Sequence, residues 1–167
     1  TALLVSYWYP PAVGAAAERI HSFARYLPEH DWQTHVLTAK RGERVDSVAS
    51  GEPILCAVPD PLALETPPFA DYDPRRQDPT WKTWAREMVF PDRFVRWQKE
   101  ALKIGGELLL RSRPHLILAS FPPASAVLLG LRLSQNTGVP LVLDFRDRWL
   151  GPGGYEPRLD RTRRRHA

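Results

Sequence analysis

The sequence predicts an α/β domain: a doubly wound, Rossmann-like, three-layer fold around a mostly parallel sheet. Three observations predict it. Short apolar runs alternate with segments of helical period along the chain. The runs are apolar at successive positions rather than at every second one, the pattern of strands covered on both faces. A length of 167 residues, with 43% hydrophobic and 25% charged side chains, suits one domain with a sizeable core.

The elements follow in order. Residues 2–7, ALLVSY, read as a buried strand, and Pro10 and Pro11 then forbid regular structure. Residues 15–27 read as a helix because Ile20, Phe23, Ala24 and Leu27 fall at i, i+3, i+4 and i+7 on one face. Pro28 stops it. QTHVLTA at 33–39 and PILCAV at 53–58 are the second and third strands. Residues 59–80 hold prolines at 59, 61, 67, 68, 74 and 79 among several aspartates, an irregular connection of the kind that is functional or mobile. Trp81, Trp84 and Met88 suggest a short helix. Pro91 opens a longer one to about residue 111, with Phe94, Trp97, Ala101, Ile104 and Leu108 as its buried stripe. RPHLILAS gives a fourth strand at 115–120, residues 124–135 an apolar helix, and PLVLDF a fifth strand at 141–145. Crossover rules give the strand order 3-2-1-4-5. No internal repeat or low-complexity segment interrupts this, so residues 1–150 read as one domain and 151–167 as a basic segment after it.

Composition narrows the function classes. The single cysteine, Cys56, permits no internal disulfide, fits a reducing compartment, and reads as a small core residue in an apolar strand. No apolar run approaches the roughly 18 residues of a membrane span. The start has neither Met nor a charged-then-apolar leader, so a trimmed or partial chain without a signal peptide is expected. Net charge is +4, with a pI near 9.5. Arg158, Arg161, Arg163, Arg164 and Arg165 supply much of the excess. That run reads as a solvated helix start or frayed tail; its functional alternative is attraction to anionic lipid head groups. Nucleic acid is not expected, since the basic residues do not interleave with aromatics and no recognition-helix or zinc pattern occurs. His21, His30, His35 and His115 have no metal-ligand spacing, and GxSxG, GxxxxGK[ST] and HExxH are all missing.

In such a sheet, ligands bind beyond the carboxyl ends of the strands where the winding reverses, here between the first and fourth strands. The loops YWYPPAVGA, SFPPAS and DFRDRWLGPGG all fall at that end. Gly14 and the helix beginning at Ala15 offer close backbone approach and free N–H groups, suited to a phosphate; the plain alternative is a strand-to-helix turn. Glu18 and Arg19 read equally as a solvated first turn. Ser120 and Ser125 are ligand contacts or, more simply, helix caps. Asp144, Arg146 and Asp147 sit at the end of a buried strand, where charge demands pairing or a ligand. An Arg–Asp pair within that loop is the alternative to a functional role. Trp97 is most simply core.

Three segments together carry a family resemblance: the opening strand with YWYPPAVGAAAERI and HDWQTHVLTA; PDRFVRWQKEALKIGGELLLRSRPHLILASFPPASAVLLGL; and GVPLVLDFRDRW. In order and spacing, over roughly residues 2–150, they resemble the N-terminal domain of family 4 glycosyltransferases, retaining enzymes of the GT-B fold. Val13-Gly14-Ala15 stands where family members often carry two adjacent glycines.

The resemblance implies two Rossmann-like domains facing across a cleft, with this one on the acceptor side. A C-terminal domain with a paired-glutamate motif would bind the nucleotide-sugar donor; neither is present here. It also implies transfer of a sugar from a nucleotide-diphosphate donor to a saccharide or lipid-linked acceptor, in polysaccharide or cell-envelope glycan synthesis. This half alone would transfer nothing. No metal or resident cofactor is implied, the nucleotide sugar being a co-substrate. A cytoplasmic location follows, with peripheral contact at the inner membrane face favoured by the basic segment and the Trp-rich 81–97 stretch. The site residues implied are Gly14 and Ala15 near the diphosphate, Ser120 and Phe121 on the floor, Asp144, Arg146 and Asp147 lining or bracing the acceptor side, and Arg19 as a further substrate-binding residue. No residue is assigned as catalytic base. The alternatives are a non-catalytic Rossmann-like binding domain or half of a GT-B sugar-nucleotide epimerase. A methyltransferase or NAD-binding domain fits less well, because the glycine fingerprint is missing and Ala39-Lys40 replaces the acidic residue after the second strand.

Overall fold

The structure, a computed structural model, describes residues 1–40, 54–59, 92 and 94–147. The short helix expected around 81–88, residues 60–80 and the basic segment 151–167 lie outside the described residues. The strands are β1 (Ala2–Val5), β2 (Thr34–Ala39), β3 (Ile54–Val58), β4 (Leu116–Phe121) and β5 (Leu141–Phe145). The helices are α1 (Ala15–Tyr26), α2 (Val95–Ser112) and α3 (Ala124–Thr137), with a 3-10 turn at Leu27–His30. All strand pairs are parallel, in the order β3-β2-β1-β4-β5. This is the doubly wound α/β fold the sequence predicts.

Alternate residues of β1 face opposite layers. Leu3 and Val5 join Leu37, Ile117 and Ala119 against Trp97 and Ala101 of α2 and Leu129 and Leu133 of α3. Ala2 and Leu4 join Val36 and Leu118 against Ile20 and Ala24 of α1. Helices thus cover both faces of the central strands, as continuous apolar runs require. The edges are less covered: Ile54 of β3 and Val142, Leu143 and Phe145 of β5 are exposed.

Local chemistry sets the boundaries. β1 ends at Val5, two residues before the expected limit, because Ser6 makes a turn: its Oγ donates to the Trp8 carbonyl at 2.8 Å and accepts the Trp8 N–H at 3.2 Å. Leu27 and Pro28 tighten the end of α1 into the 3-10 turn, closed by Asp31 in the left-handed region. α2 begins at Val95, four residues after the proline expected to open it. Its fully buried positions are Trp97, Gln98, Ala101, Gly105 and Leu109, and the expected Ile104 and Leu108 pack half-buried against the same cluster beside them. A Cβ at Gly105 would lie 2.8 Å from Leu37 Cδ2, so the glycine lets α2 approach the sheet. α3 ends on Gly138, φ 75°, whose N–H bonds the Ser134 carbonyl.

Candidate functional site

Ser120 and Asp144 are register partners at the carboxyl ends of β4 and β5. Neighbours in parallel register share a face, and this one faces α1. Arg19 reaches down from the second turn of α1. Its Nε and Nη2 donate to the two carboxylate oxygens of Asp144 at 2.7 and 2.6 Å. Ser120 Oγ donates to the same carboxylate at 3.0 Å. Arg19 also lies 5.4 Å from the centroid of the Phe23 ring. The hydrogen bonds from Arg19 hold the Asp144 carboxyl below its ordinary range; burial pushes the other way, and Ser120 reinforces Arg19. Asp144 in turn raises the Arg19 guanidinium.

Among the described residues, the arginine that hydrogen-bonds Asp144 is Arg19, 125 residues away. Arg146 pairs instead with Asp147. The Arg146 N–H points to the Phe121 carbonyl at 3.4 Å, and the Phe121 and Phe145 rings stand 5.7 Å apart. These contacts join the loop after β5 to the loop after β4. Gly14 caps α1 at φ 126°, a conformation open to glycine, and among the described residues no side chain caps that end. Its carbonyl accepts the Glu18 N–H at 3.1 Å, and Ala15 is exposed.

The first loop divides. Tyr7, Trp8 and Tyr9 are buried, so the aromatic half expected to line the crevice is core instead. Tyr7 sits 4.2 Å from Phe94 and 5.4 Å from Trp97, centroid to centroid. Only the second half faces outward, with Val13 79% exposed. The peptide bonds Pro10–Pro11, Phe121–Pro122 and Pro122–Pro123 are cis.

Neither Ser120 nor Ser125 caps α3 through its hydroxyl, contrary to the simpler expectation from sequence. Asp92 does so from the start of α2. Its Oδ2 accepts the Ser125 N–H at 2.8 Å and its Oδ1 the Phe94 N–H at 2.9 Å. Burial nevertheless pushes the Asp92 carboxyl up, against the opposing hydrogen bonds from Ser125, Phe94 and Ala124. Gln98 Nε2 donates to the Ser125 carbonyl, and Gln98 Oε1 accepts from Arg132 Nη1. Sequence reading missed both Asp92 and Gln98. Asp92 had a usable signal, an acidic residue just ahead of a helical period. Gln98 had only its place beside Trp97.

The chemistry of the Arg19–Ser120–Asp144 group is that of binding. A carboxylate held below its usual range is a weak base at neutral pH, unlike a general base poised near 7. Arg19 uses two of its five N–H donors and Asp144 keeps acceptor capacity, so both can take ligand hydroxyls. Among the described residues, no group of three or more His, Cys, Asp or Glu could hold a metal ion, and no helix is long and apolar enough to cross a membrane. No family model matches the chain, and no curated protein matches it significantly.

Proposed function

We propose that this domain is the acceptor-side half of a retaining glycosyltransferase of the family 4 kind, which moves a sugar from a nucleotide-diphosphate donor to a saccharide or lipid-linked acceptor. One observation carries the reading: Arg19, Ser120 and Asp144, from three separate elements, meet at the carboxyl rim beside the β1–β4 reversal. That is where a doubly wound sheet takes its ligands. Paired donors and acceptors that are poor bases suit recognition of sugar hydroxyls. In this reading Asp144 and Arg19 hold acceptor hydroxyls and Ser120 and Phe121 form the floor. Arg146 and Asp147 brace the edge, and the N–H groups at Gly14 and Ala15 face the donor diphosphate. The donor belongs to a facing second domain, and a lipid-linked acceptor would bring the enzyme to the inner membrane face.

The test is an NMR titration of the isotope-labelled chain with neutral saccharides and, separately, with nucleotide sugars. Saccharides are expected to move the Ser120 and Phe121 amides and the Arg19 Nε–H resonance, and Arg19→Ala is expected to abolish that response. Saccharides that leave the rim resonances unmoved at millimolar concentration would sink the reading. Rim binding of saccharides by a parent protein that transfers no sugar would favour a binding module instead.

A further inference from the structure

Ser125 is wholly buried in the first turn of α3, and its peptide groups are gripped on both sides, by Asp92 just ahead of α2 and by Gln98 within it. The Asp92 carboxylate takes its N–H, and the Gln98 amide donates to its carbonyl. The other Asp92 oxygen takes the Phe94 N–H, so one carboxylate ties the starts of two helices. Gln98 is itself 2% exposed and steadied by Arg132. An interface that needed only to adhere would be served by apolar side chains, which bury without a desolvation cost. A polar grip on one residue's main chain fixes its position instead.

What lies next to Ser125 gives the grip its meaning. Phe121, Pro122 and Pro123 run from the end of β4 to α3, and proline rings fix φ, so this connection has little freedom. At its far end Ser120 donates to Asp144. We propose that Asp92 and Gln98 are positioning residues for the rim: by holding Ser125 they set where Ser120 and Phe121 stand against Asp144. The functional reading above enters only in naming the rim a binding site, and the test needs no ligand.

Two NMR readouts on the labelled chain separate positioning from adhesion. Exchange of the Ser125 amide reports the grip. The titration midpoint of the Asp144 carboxyl reports the rim, and a clamp that merely glued two helices would leave it alone. In Asp92→Ala the Ser125 amide is expected to exchange about fivefold to tenfold faster, the size of a lost helix cap. The Asp144 midpoint rises toward the ordinary carboxylate range as Ser120 loses its aim, and the Ser120 and Phe121 amide resonances move. Asp92→Asn, which keeps one oxygen acceptor, restores part of each change. Gln98→Met keeps the side-chain volume and removes the donor to the Ser125 carbonyl, together with the acceptor for Arg132, without burying a charge; it is expected to move the same rim resonances. Should Asp92→Ala fail to fold, these two milder variants carry the test. A faster Ser125 amide beside an unmoved Asp144 midpoint and unmoved Ser120 and Phe121 resonances overturns the proposal. Failure of saccharides to bind the wild-type rim would instead overturn the functional reading and leave the clamp standing.

Discussion

Asp144 has a side chain 11% exposed at the end of a strand, where an unmet charge would be costly. Its folded pKa lies below its unfolded one, so the pair with Arg19 stabilises the fold above the unfolded value of about 3.9. That contribution is lost as pH falls through the folded value. Arg19 is 43% exposed and partly screened, which limits the effect to about 1 kcal/mol. In denaturant unfolding, wild type is therefore expected to exceed Asp144→Asn by about this much at neutral pH, with the gap closing below about pH 4. A gap independent of pH would refute the pairing. Asp92 has the opposite sign. Its folded pKa is raised, so its carboxyl contributes most below about pH 3.9 and loses that contribution as pH rises through the folded value. Wild type measured against Asp92→Asn should lose ground as pH rises above about 4. The need of Asp144 for a partner was legible in the sequence, because it is a charge closing an apolar run. The identity of the partner was not, since it depends on how α1 lies across β4 and β5. Gln98 was illegible for a similar reason: a polar residue facing another helix leaves no hydrophobic period.

Three helical glycines differ in what a methyl group would meet, and their alanine variants should rank accordingly. Gly106 faces open space, so Gly106→Ala gains the helix propensity of alanine and should stabilise by about 0.5–1 kcal/mol. At Gly105 the new Cβ would press on the mobile ends of Leu37 and Leu133, and the clash roughly offsets the propensity gain. At Gly130 it would lie 2.6 Å from the Ala119 Cβ, which is fixed to β4 and has no rotamer to yield. Gly130→Ala should cost about 1–3 kcal/mol by forcing α3 away from the sheet. Thermal unfolding of the three variants checks the order, and a Gly130→Ala protein as stable as Gly106→Ala would contradict the packing. Element types were readable because each core strand is a continuous apolar run and each helix has a period. Boundaries drifted where a side chain made a local bond that no period records, as Ser6 does after β1. The stripe of α2 was read incompletely: its five expected residues all belong to or pack against the core, but Gly105, buried for its small size, escapes a count of apolar residues.

The sheet separates the described residues into two unequal layers. Among the described residues, the α2–α3 side holds the larger cluster, with Trp97, Leu129 and Leu133 wholly or nearly buried. On the other side α1 rests on Ile20 and Ala24, with Phe23 and Leu27 half-buried. Among the described residues, less apolar area therefore holds α1 than holds α2 and α3. It follows that α1 should open by a smaller fluctuation than α3, because local stability tracks local burial. The candidate site straddles this divide: Arg19 belongs to the weaker layer, while Ser120 and Asp144 belong to the sheet. The Arg19–Asp144 pair is then a tie that holds α1 to β5. Native-state hydrogen exchange tests this directly. The Ile20–Ala24 amides should exchange by an opening of lower free energy than those of α3, and Arg19→Ala should accelerate them several-fold while leaving Leu129 and Leu133 unchanged. If α1 and α3 exchange together at the global limit, the layers are not energetically distinct. A ligand that engaged Arg19 and Asp144 at once would couple the layers, slowing exchange in α1 by a factor of one plus the ratio of free ligand concentration to Kd, and so continuing to slow it after the site is nearly full.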